Sequence, residues 1–395
     1  MSRANEIYNL DGSIRKEMEN LKSEMNGETI LRYQQRRVAE GISLSRQFKC
    51  MKTLKSISRI LNRRFDEATK EDIVRLIVEI EQKPLSVWTK HDYKVILKKF
   101  YQWLYNYEEG YPPVVKWIKA SNNISNGLKK SDLLTPEEVK KLVEAATTLR
   151  DKALILVLAE SGRRIGEILT LRIGDVEFDN MGARILVDGK TGRDHVRIIA
   201  SAPTLATWLD NHPVRNDPKA PVWIGSNHGV LKQITYASAR SMMKDCIAHA
   251  GLKKRIWFHL FRHTRGTQAS KLLTSPQLCA LMGWRQGSKM PSVYIHLAGE
   301  DIDEAQAIMS GVKVENKNEP KLEPVICSRC NHVNSTTAKF CNKCGLVLDI
   351  KTIIEIDSAR QKVNLLIEKL TKNPEILDNI LHIFNELQPD QSKTK

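Results

Sequence analysis

Several short segments between residues 161 and 296 carry side chains that suit the transfer of a phosphoryl group to a tyrosine. This reaction builds negative charge on the non-bridging phosphate oxygens. It therefore needs fixed cations, a proton donor for the leaving oxygen and a nucleophile in line with that oxygen. Arginine, lysine, histidine and tyrosine side chains can supply these functions. The candidates are Arg164, Lys190, His259, Arg262, His263 and Tyr294.

The first candidate is an arginine that follows a glycine turn, in the run Ser-Gly-Arg-Arg-Ile-Gly-Glu at 161–167. An apolar-periodic helix is predicted after the turn, so Arg164 would stand at a helix start. A guanidinium group matches a phosphate through two parallel hydrogen bonds, which makes Arg164 a candidate clamp. Taken alone, an arginine at a helix start is more often a solvated charge.

The run His-Leu-Phe-Arg-His at 259–263 places His259 and Arg262 three residues apart, on one face of a predicted helix. A lone histidine here would usually be a packed or surface residue. Paired with Arg262 and followed by His263, it becomes a candidate acid or base beside a second phosphate clamp.

Lys190 lies at the tip of a predicted β-hairpin, between strands at 184–188 and 195–199. Lysines at hairpin tips are mostly solvated, although a flexible ammonium there could also reach a substrate. Trp284 follows in a Leu-Met-Gly-Trp run and Tyr294 comes ten residues later. Trp284 could simply be core, but a buried indole N–H needs an acceptor and a phosphate oxygen is one.

The rest of the sequence indicates several domains. Helical periodicity with few breakers runs from about 27 to 110, a polar, turn-rich stretch follows, and Thr-Pro-Glu-Glu at 135–138 predicts a capped helix start. The predicted organisation is an N-terminal extension (1–26), a helical domain (27–118), a linker (119–133), a second domain (134–312), a linker (313–324), a cysteine module (325–349) and an amphipathic helical tail (351–388).

Charge points to a polyanionic partner. The 395-residue chain has a net charge of +16, and residues 1–130 carry 25 basic and 16 acidic side chains, or +9. Such an excess suits DNA, because each neutralised phosphate releases counterions. No apolar run approaches the roughly 18 residues of a membrane span, and the polar start does not resemble a signal peptide, so no membrane partner is predicted and the cytoplasm is the expected compartment.

Four of the seven cysteines form two Cys-x-x-Cys pairs: Cys327, Cys330, Cys341 and Cys344. This spacing predicts a tetrahedral structural Zn²⁺ site, because four thiolates leave no open position for a substrate. Iron in a rubredoxin-like site is the main rival, and free thiols would leave so short a segment without a core. The remaining cysteines are predicted to be buried thiols in a reducing compartment.

Taken in order, the candidate segments resemble the tyrosine recombinase (phage integrase) family across 134–312, and the helical domain resembles that family's core-binding domain more loosely. Gly162 and Glu167 set the register of the family's Gly-x-Arg-x-x-Glu box, so Arg164 corresponds to its first arginine. The other correspondences are Lys190 for the hairpin lysine, His259 and Arg262 for the His-x-x-Arg box, Trp284 for a position that is usually histidine, and Tyr294 for the nucleophile. Arg163 departs from the family, which commonly has an apolar residue there.

The resemblance implies a mainly α fold with a small β-hairpin or sheet. It implies a site-specific DNA recombinase that cleaves and rejoins strands through a 3′-phosphotyrosyl intermediate, without ATP or a catalytic metal. Tyr294 would attack the scissile phosphate, Lys190 would protonate the leaving 5′ oxygen, and His259 would act as base. Glu167 and His263 would support these residues without contacting the phosphate.

The resemblance also implies partners: double-stranded DNA, a homo-tetramer on that DNA, and room for accessory proteins, in a nucleoid-associated cytoplasmic setting. A tyrosine-type topoisomerase and a catalytically silent DNA-binding regulator on the same scaffold remain the alternatives. The cysteine module resembles zinc ribbons appended to microbial, notably archaeal, proteins. The amphipathic tail is expected to pack on a neighbouring subunit or domain.

Overall fold

The computed structural model describes residues 7–120, 128–189, 192–227, 229–297, 306, 309–311 and 323–372. Lys190, most of the two predicted linkers and the tail beyond residue 372 lie outside these described residues. The chain is mainly helical with small sheets, as predicted. It divides into unit one, Met1–Asp132 with Ile224–Arg240, and unit two, Leu133–Trp223 with Ser241–Lys395. The domain boundaries given above stay predictions.

The described part of the chain contains helices and short strands. The helices are α1 Leu10–Leu21, α2 Gly27–Ala39, α3 Leu44–Leu61, α4 Lys70–Gln82, α5 Val87–Leu104, α6 Pro113–Lys116, α7 Pro136–Ala145, α8 Leu149–Ser161, α9 Ile165–Leu169, α10 Ala202–Asp210, α11 Tyr236–His249, α12 Phe258–Ser270, α13 Ser275–Met282, α14 Met290–Leu297 and α15 Ile350–Thr371. The strands are β1 Val176–Asp179, β2 Gly182–Gly189, β3 Gly192–Ile198, β4 Ile224–Asn227, β5 Val230–Gln233, β6 Val325–Ile326 and β7 Val333–Asn334. Single 3-10 turns occupy Lys130–Asp132 and Ile173–Asp175.

Unit one is built on α1 to α6, which share one hydrophobic core. Leu54 of α3 and Phe100 of α5 are fully buried in it. Helix α1 precedes residue 27, where the helical domain was predicted to begin, yet its Ile14 and Leu21 lie in the same core. These two side chains sit seven residues apart, on one face of the helix, which is the spacing a core-facing helix needs.

Unit two begins with the capping box predicted at residue 135. The Glu138 amide donates to the Thr135 hydroxyl at 3.2 Å, and the Thr135 amide donates back to the Glu138 carboxylate at 2.9 Å. Helix α8 follows, and the run from Ala153 to Leu158 is buried on every side of it. A helix that is apolar all round belongs in the centre of a domain, so α8 is the internal support of unit two.

An antiparallel three-stranded sheet, ordered β1-β2-β3, contains the predicted hairpin. The two outer pairs of its register, Asp188 with Arg193 and Gly189 with Gly192, bring the strands together at the tip. The predicted strands are confirmed with shifted ends: β2 begins two residues earlier and ends one residue later than expected, and β3 begins three residues earlier and ends one residue earlier. Alternating burial continues along β2.

The cysteine module is a small antiparallel pair, β6 with β7, within unit two. It contacts α10 through a 2.7 Å hydrogen bond between the hydroxyls of Thr204 and Ser335. No helix in the described ranges combines the length and the hydropathy that crossing a membrane requires.

Candidate active site

Arg164 lies at the N-cap of α9, where a glycine turn ends α8. Gly162 adopts the left-handed conformation (φ 59°), and a Cβ there would lie 2.9 Å from the Arg265 side chain, so only glycine fits. An Arg164 Nη donates to a Glu167 carboxylate oxygen at 2.6 Å. The Glu167 side chain is 7% exposed and that of Arg164 is 34% exposed. Glu167 therefore holds the guanidinium from the protein interior, and the Arg164 side chain remains partly accessible to a ligand.

Arg163 points away from this opening into the interior. It is 3% exposed, and one Nη donates both to the Asp194 carboxylate of β3 at 2.5 Å and to the Ala280 carbonyl of α13 at 3.1 Å. A Cβ at Gly283 would lie 2.0 Å from its other Nη, so the guanidinium packs directly beneath that glycine. Of the two adjacent arginines, Arg164 is therefore the one available to a ligand, and Arg163 ties the hairpin to α13.

The ion pair between Arg163 and Asp194 predicts that substitutions of its two members lower stability by different amounts. Asp194→Asn leaves a buried guanidinium without its counter-charge, which costs on the order of 3 kcal/mol. Arg163→Met replaces the same group by an apolar side chain and leaves behind only Asp194, whose side chain is 45% exposed. We therefore expect Asp194→Asn to lower the free energy of unfolding in urea more than Arg163→Met does. The reverse order would mean that the buried ion pair is not what holds this contact.

Arg262 is held at the centre of unit two by two carbonyl groups. It is 1% exposed, one Nη donates to the Gly162 carbonyl at 3.1 Å, and the other donates to the Met282 carbonyl at 2.7 Å. Its Cζ lies 5.2 Å from the centroid of the Trp284 ring, within the range of a cation–π contact. Burial first, and then the charge of Arg164, lower the pKa of Arg262 to about 10. The group stays charged at neutral pH.

Tyr294, on α14, packs into the same region and is 1% exposed. Its hydroxyl shares a 3.0 Å hydrogen bond with Nδ1 of His263, and its ring stacks on Trp284 with a centroid separation of 5.2 Å. Burial raises the pKa of Tyr294, and the nearby charges of Arg262 and Arg164 act in the opposite direction. Those two charges would favour the phenolate once a base removes the proton.

Two histidines of α12 lie together at this site, and one of them, His263, contacts the hydroxyl. The rings of His259 and His263 meet edge to face, 4.8 Å apart. Burial, followed by the charges of His263, Arg262 and Arg164, lowers the pKa of His259 to about 4. Burial and Arg262 also lower the pKa of His263. Both imidazoles are therefore ready to accept a proton at neutral pH.

The structure brings six of the candidates together from four segments of unit two: Arg164, His259, Arg262, His263, Trp284 and Tyr294. It differs from the sequence-based roles in one respect, because His263, and not His259, touches the tyrosine hydroxyl. Lys190 lies outside the described residues. The hairpin residue before it is close to the site, since a Cβ at Gly189 would lie 3.2 Å from a Glu167 carboxylate oxygen.

Gly266, one turn beyond Arg262 on α12, was not among the residues predicted to belong to the site. A Cβ at this position would lie 2.8 Å from Cε1 of Tyr294, so the missing side chain is what allows the tyrosine ring to approach the helix. The signal available beforehand was a glycine inside a predicted helix, four residues after the His-x-x-Arg run, where helix propensity alone disfavours it.

Part of the chain is similar to known proteins. Residues 132–300 match the model of the phage integrase family. The tyrosine recombinase XerA of Pyrococcus horikoshii is 26% identical over 223 residues, which cover 55% of this chain and 74% of the relative.

Two solved structures of the lambda integrase share the fold. One is a dimer bound to a COC′ core site (TM-score 0.55, 16% identity, 68% of this chain and 76% of that one). The other is a tetramer bound to a Holliday junction (TM-score 0.51, 15% identity, 68% and 76%). At these identities, the structural likeness concerns the fold alone.

Proposed function

We propose that the chain is a site-specific recombinase that cleaves and rejoins DNA through a 3′-phosphotyrosyl intermediate; the match of residues 132–300 to the phage integrase family model supports this. The observation that carries the proposal is the grouping of one tyrosine with two arginines. Tyr294 stacks on the Trp284 ring, the Arg262 guanidinium lies 5.2 Å from the same ring, and the charges of Arg262 and Arg164 both act to lower the pKa of Tyr294. The chemistry of a phosphodiester requires this combination of a nucleophile and fixed cations.

In the proposed reaction, the Tyr294 oxygen bonds to phosphorus as the bond from phosphorus to the 5′ oxygen breaks. The hydroxyl proton passes to His263, which is already in hydrogen-bond contact, and His259 shields and orients that ring. Arg164 and Arg262 hold the non-bridging oxygens, and the Trp284 indole N–H is a further donor. Lys190 gives its proton to the departing oxygen. The phosphotyrosyl bond conserves the energy of the broken bond, so a 5′ hydroxyl can reverse the step.

Geometry favours His263 over His259 as the first proton acceptor. His263 Nδ1 is 3.0 Å from the hydroxyl oxygen, which is within transfer distance. The pKa of both rings is lowered, so each is neutral in the resting enzyme. We therefore assign the base to His263 and a supporting role to His259, which exchanges the roles that the family resemblance implied.

A covalent-capture experiment tests the proposal. The protein is incubated with a library of nicked DNA duplexes in which the short fragment 5′ of the nick diffuses away after cleavage, so the adduct cannot reverse. We expect a denaturant-resistant protein–DNA adduct, enriched for one sequence, with the 3′ phosphate on Tyr294 by peptide mass spectrometry. Adducts absent across the library, or attached to another residue, would falsify the assignment.

We also propose that Cys327, Cys330, Cys341 and Cys344 hold a structural Zn²⁺ in a ribbon like those appended to archaeal proteins. Their sulfurs lie within 4.8 Å of one another, with pairs at 3.5 and 3.6 Å. A tetrahedron with Zn–S bonds of about 2.3 Å has sulfur–sulfur edges of about 3.8 Å, close to these values. The fully buried Asn334 donates to Cys341 Sγ at 3.7 Å. Elemental analysis should find one zinc, and no iron, per chain.

For the assembly, we propose double-stranded DNA as the substrate and a homo-tetramer as the working form. The basic excess of residues 1–130 supports contact with a duplex, and we assign that contact to the helices of unit one as a core-binding domain. A tetramer is the form in which the lambda integrase is solved on a Holliday junction. Accessory proteins and a nucleoid location stay predictions.

A further inference from the structure

Helix α15 exposes an unusual amount of apolar surface. It is 22 residues long, and every side chain from Ile353 to Lys369 is exposed. The large apolar side chains among them are between 42% and 62% exposed: Ile353, Ile354, Ile356, Val363, Leu365, Leu366 and Ile367. A helix gains most of its stability from packing an apolar face, so this one needs a partner.

The apolar positions follow a coiled-coil pattern. Ile356, Ala359, Val363 and Leu366 are spaced 3, 4 and 3 residues apart, which places them in one stripe as a, d, a and d of a heptad repeat. The a positions carry the β-branched Ile356 and Val363, and a d position carries Leu366. This combination favours a parallel, two-stranded coiled coil over higher assemblies.

The flanking charges agree with a parallel pair. In this register Glu355 occupies a g position and Arg360 the following e position. In a parallel, in-register dimer a g side chain faces the e side chain five residues on in the partner helix, so Glu355 of each copy meets Arg360 of the other. An antiparallel pair would instead align g with g and e with e, and would lose both attractions.

The beginning of the stripe is set by the helix cap. The Thr352 amide and hydroxyl both donate to the Asp349 carboxylate, at 3.0 and 2.9 Å, and Thr352 is 6% exposed. Thr352 would be the preceding d position, but it is already buried within its own chain. The free stripe therefore starts at Ile356, directly beyond the cysteine module.

From this pattern we propose that α15 is a dimerisation element, which pairs with α15 of a second copy as a parallel two-stranded coiled coil without DNA. The Glu355–Arg360 pairs between the two helices select the parallel orientation. This association is separate from assembly on DNA and does not depend on the recombinase assignment. It would deliver the protein to DNA as a preformed pair.

The chain offers a matched control for the test. Leu366 and Leu365 are neighbours and are 60% and 58% exposed, yet Leu366 lies in the stripe and Leu365 lies on the opposite side of the helix. In the zinc-loaded, full-length protein without DNA, sedimentation equilibrium should give a dimer. Leu366→Lys should raise the dimer dissociation constant by at least about 30-fold, as expected for a central interface residue. Leu365→Lys should change that constant less than threefold.

Orientation is tested by cross-linking and charge exchange. Under mild oxidation Leu366→Cys should form an intermolecular disulfide and Leu365→Cys should not, with wild-type protein as the background because Cys50, Cys246 and Cys279 are buried. Glu355→Arg should weaken the dimer, and adding Arg360→Glu should restore it. A monomeric wild-type protein would overturn the proposal, and this is the result expected if residues 373–395 cover the stripe within one chain. Equal dimer dissociation constants for the Leu365→Lys and Leu366→Lys proteins would also overturn it. Covalent capture of DNA, measured in parallel, reports on the recombinase assignment independently.

Discussion

Tyr294→Phe protein is expected to form no covalent adduct on the DNA that the wild-type protein captures. The substitution removes only the attacking oxygen, and the ring can still stack on Trp284 and pack over Gly266. Loss of the bond to His263 should cost about 1 kcal/mol of stability, which leaves the fold intact. Adduct is measured on denaturing gels, and the dissociation constant for the same duplex should stay within about twofold because the tyrosine hydroxyl has no ionic contact to lose.

A buried tyrosine outside the candidate site provides a control, because its loss of a hydroxyl affects stability without removing the proposed nucleophile. Tyr101 in unit one is fully buried, and its hydroxyl donates to the Phe65 carbonyl at 3.1 Å. Tyr101→Phe should lose a similar amount of stability and should keep the wild-type rate of adduct formation. If Tyr294→Phe still formed adduct at a rate near the wild-type one, the nucleophile would have to be another residue.

The features that sequence predicted well depend on contacts between residues close in the chain. The capping box at Thr135 requires only Glu138, three residues away, and the hairpin of β2 and β3 requires only alternating side chains around a short tip. The register of the arginine box is equally local. Glu167 braces Arg164 three residues earlier, so the Gly162 and Glu167 positions were enough to separate Arg164 from Arg163.

The features that sequence did not predict depend on how distant segments pack. His259 and His263 lie one turn apart on α12, and helical spacing alone cannot tell which of them meets Tyr294. The choice follows from where α14 lies against α12, and the small Gly266 permits that approach. The interior role of Arg163 likewise depends on Asp194 and Ala280, which are 31 and 117 residues away in sequence.

Local signals were also too weak for two elements of unit one. Helix α1 begins in a polar stretch, and its contribution to the core rests mainly on Ile14 and Leu21. The hairpin of β4 and β5 has four residues per strand and no alternation of burial along β5. Strands this short are defined by their pairing more than by their own sequence.

Arg164→Gln is expected to slow adduct formation by on the order of a thousandfold, or about 4 kcal/mol of transition-state stabilisation, as for other arginines that hold a phosphoryl group. Stability should also fall, because the Glu167 carboxylate that pairs with this guanidinium is only 7% exposed and would lose its counter-charge. Arg262→Gln should lose catalysis to a similar degree and should also lower the unfolding midpoint, since this guanidinium bridges the Gly162 and Met282 carbonyls in the interior. Single-turnover rates on the captured duplex, together with urea unfolding, measure both effects. Arg197→Gln, which removes a surface ion pair with Asp179, is the control and should alter neither. An Arg164→Gln protein with cleavage within tenfold of wild type would mean that this guanidinium does not grip the scissile phosphate. The clamp would then have to be sought among the other cations of unit two.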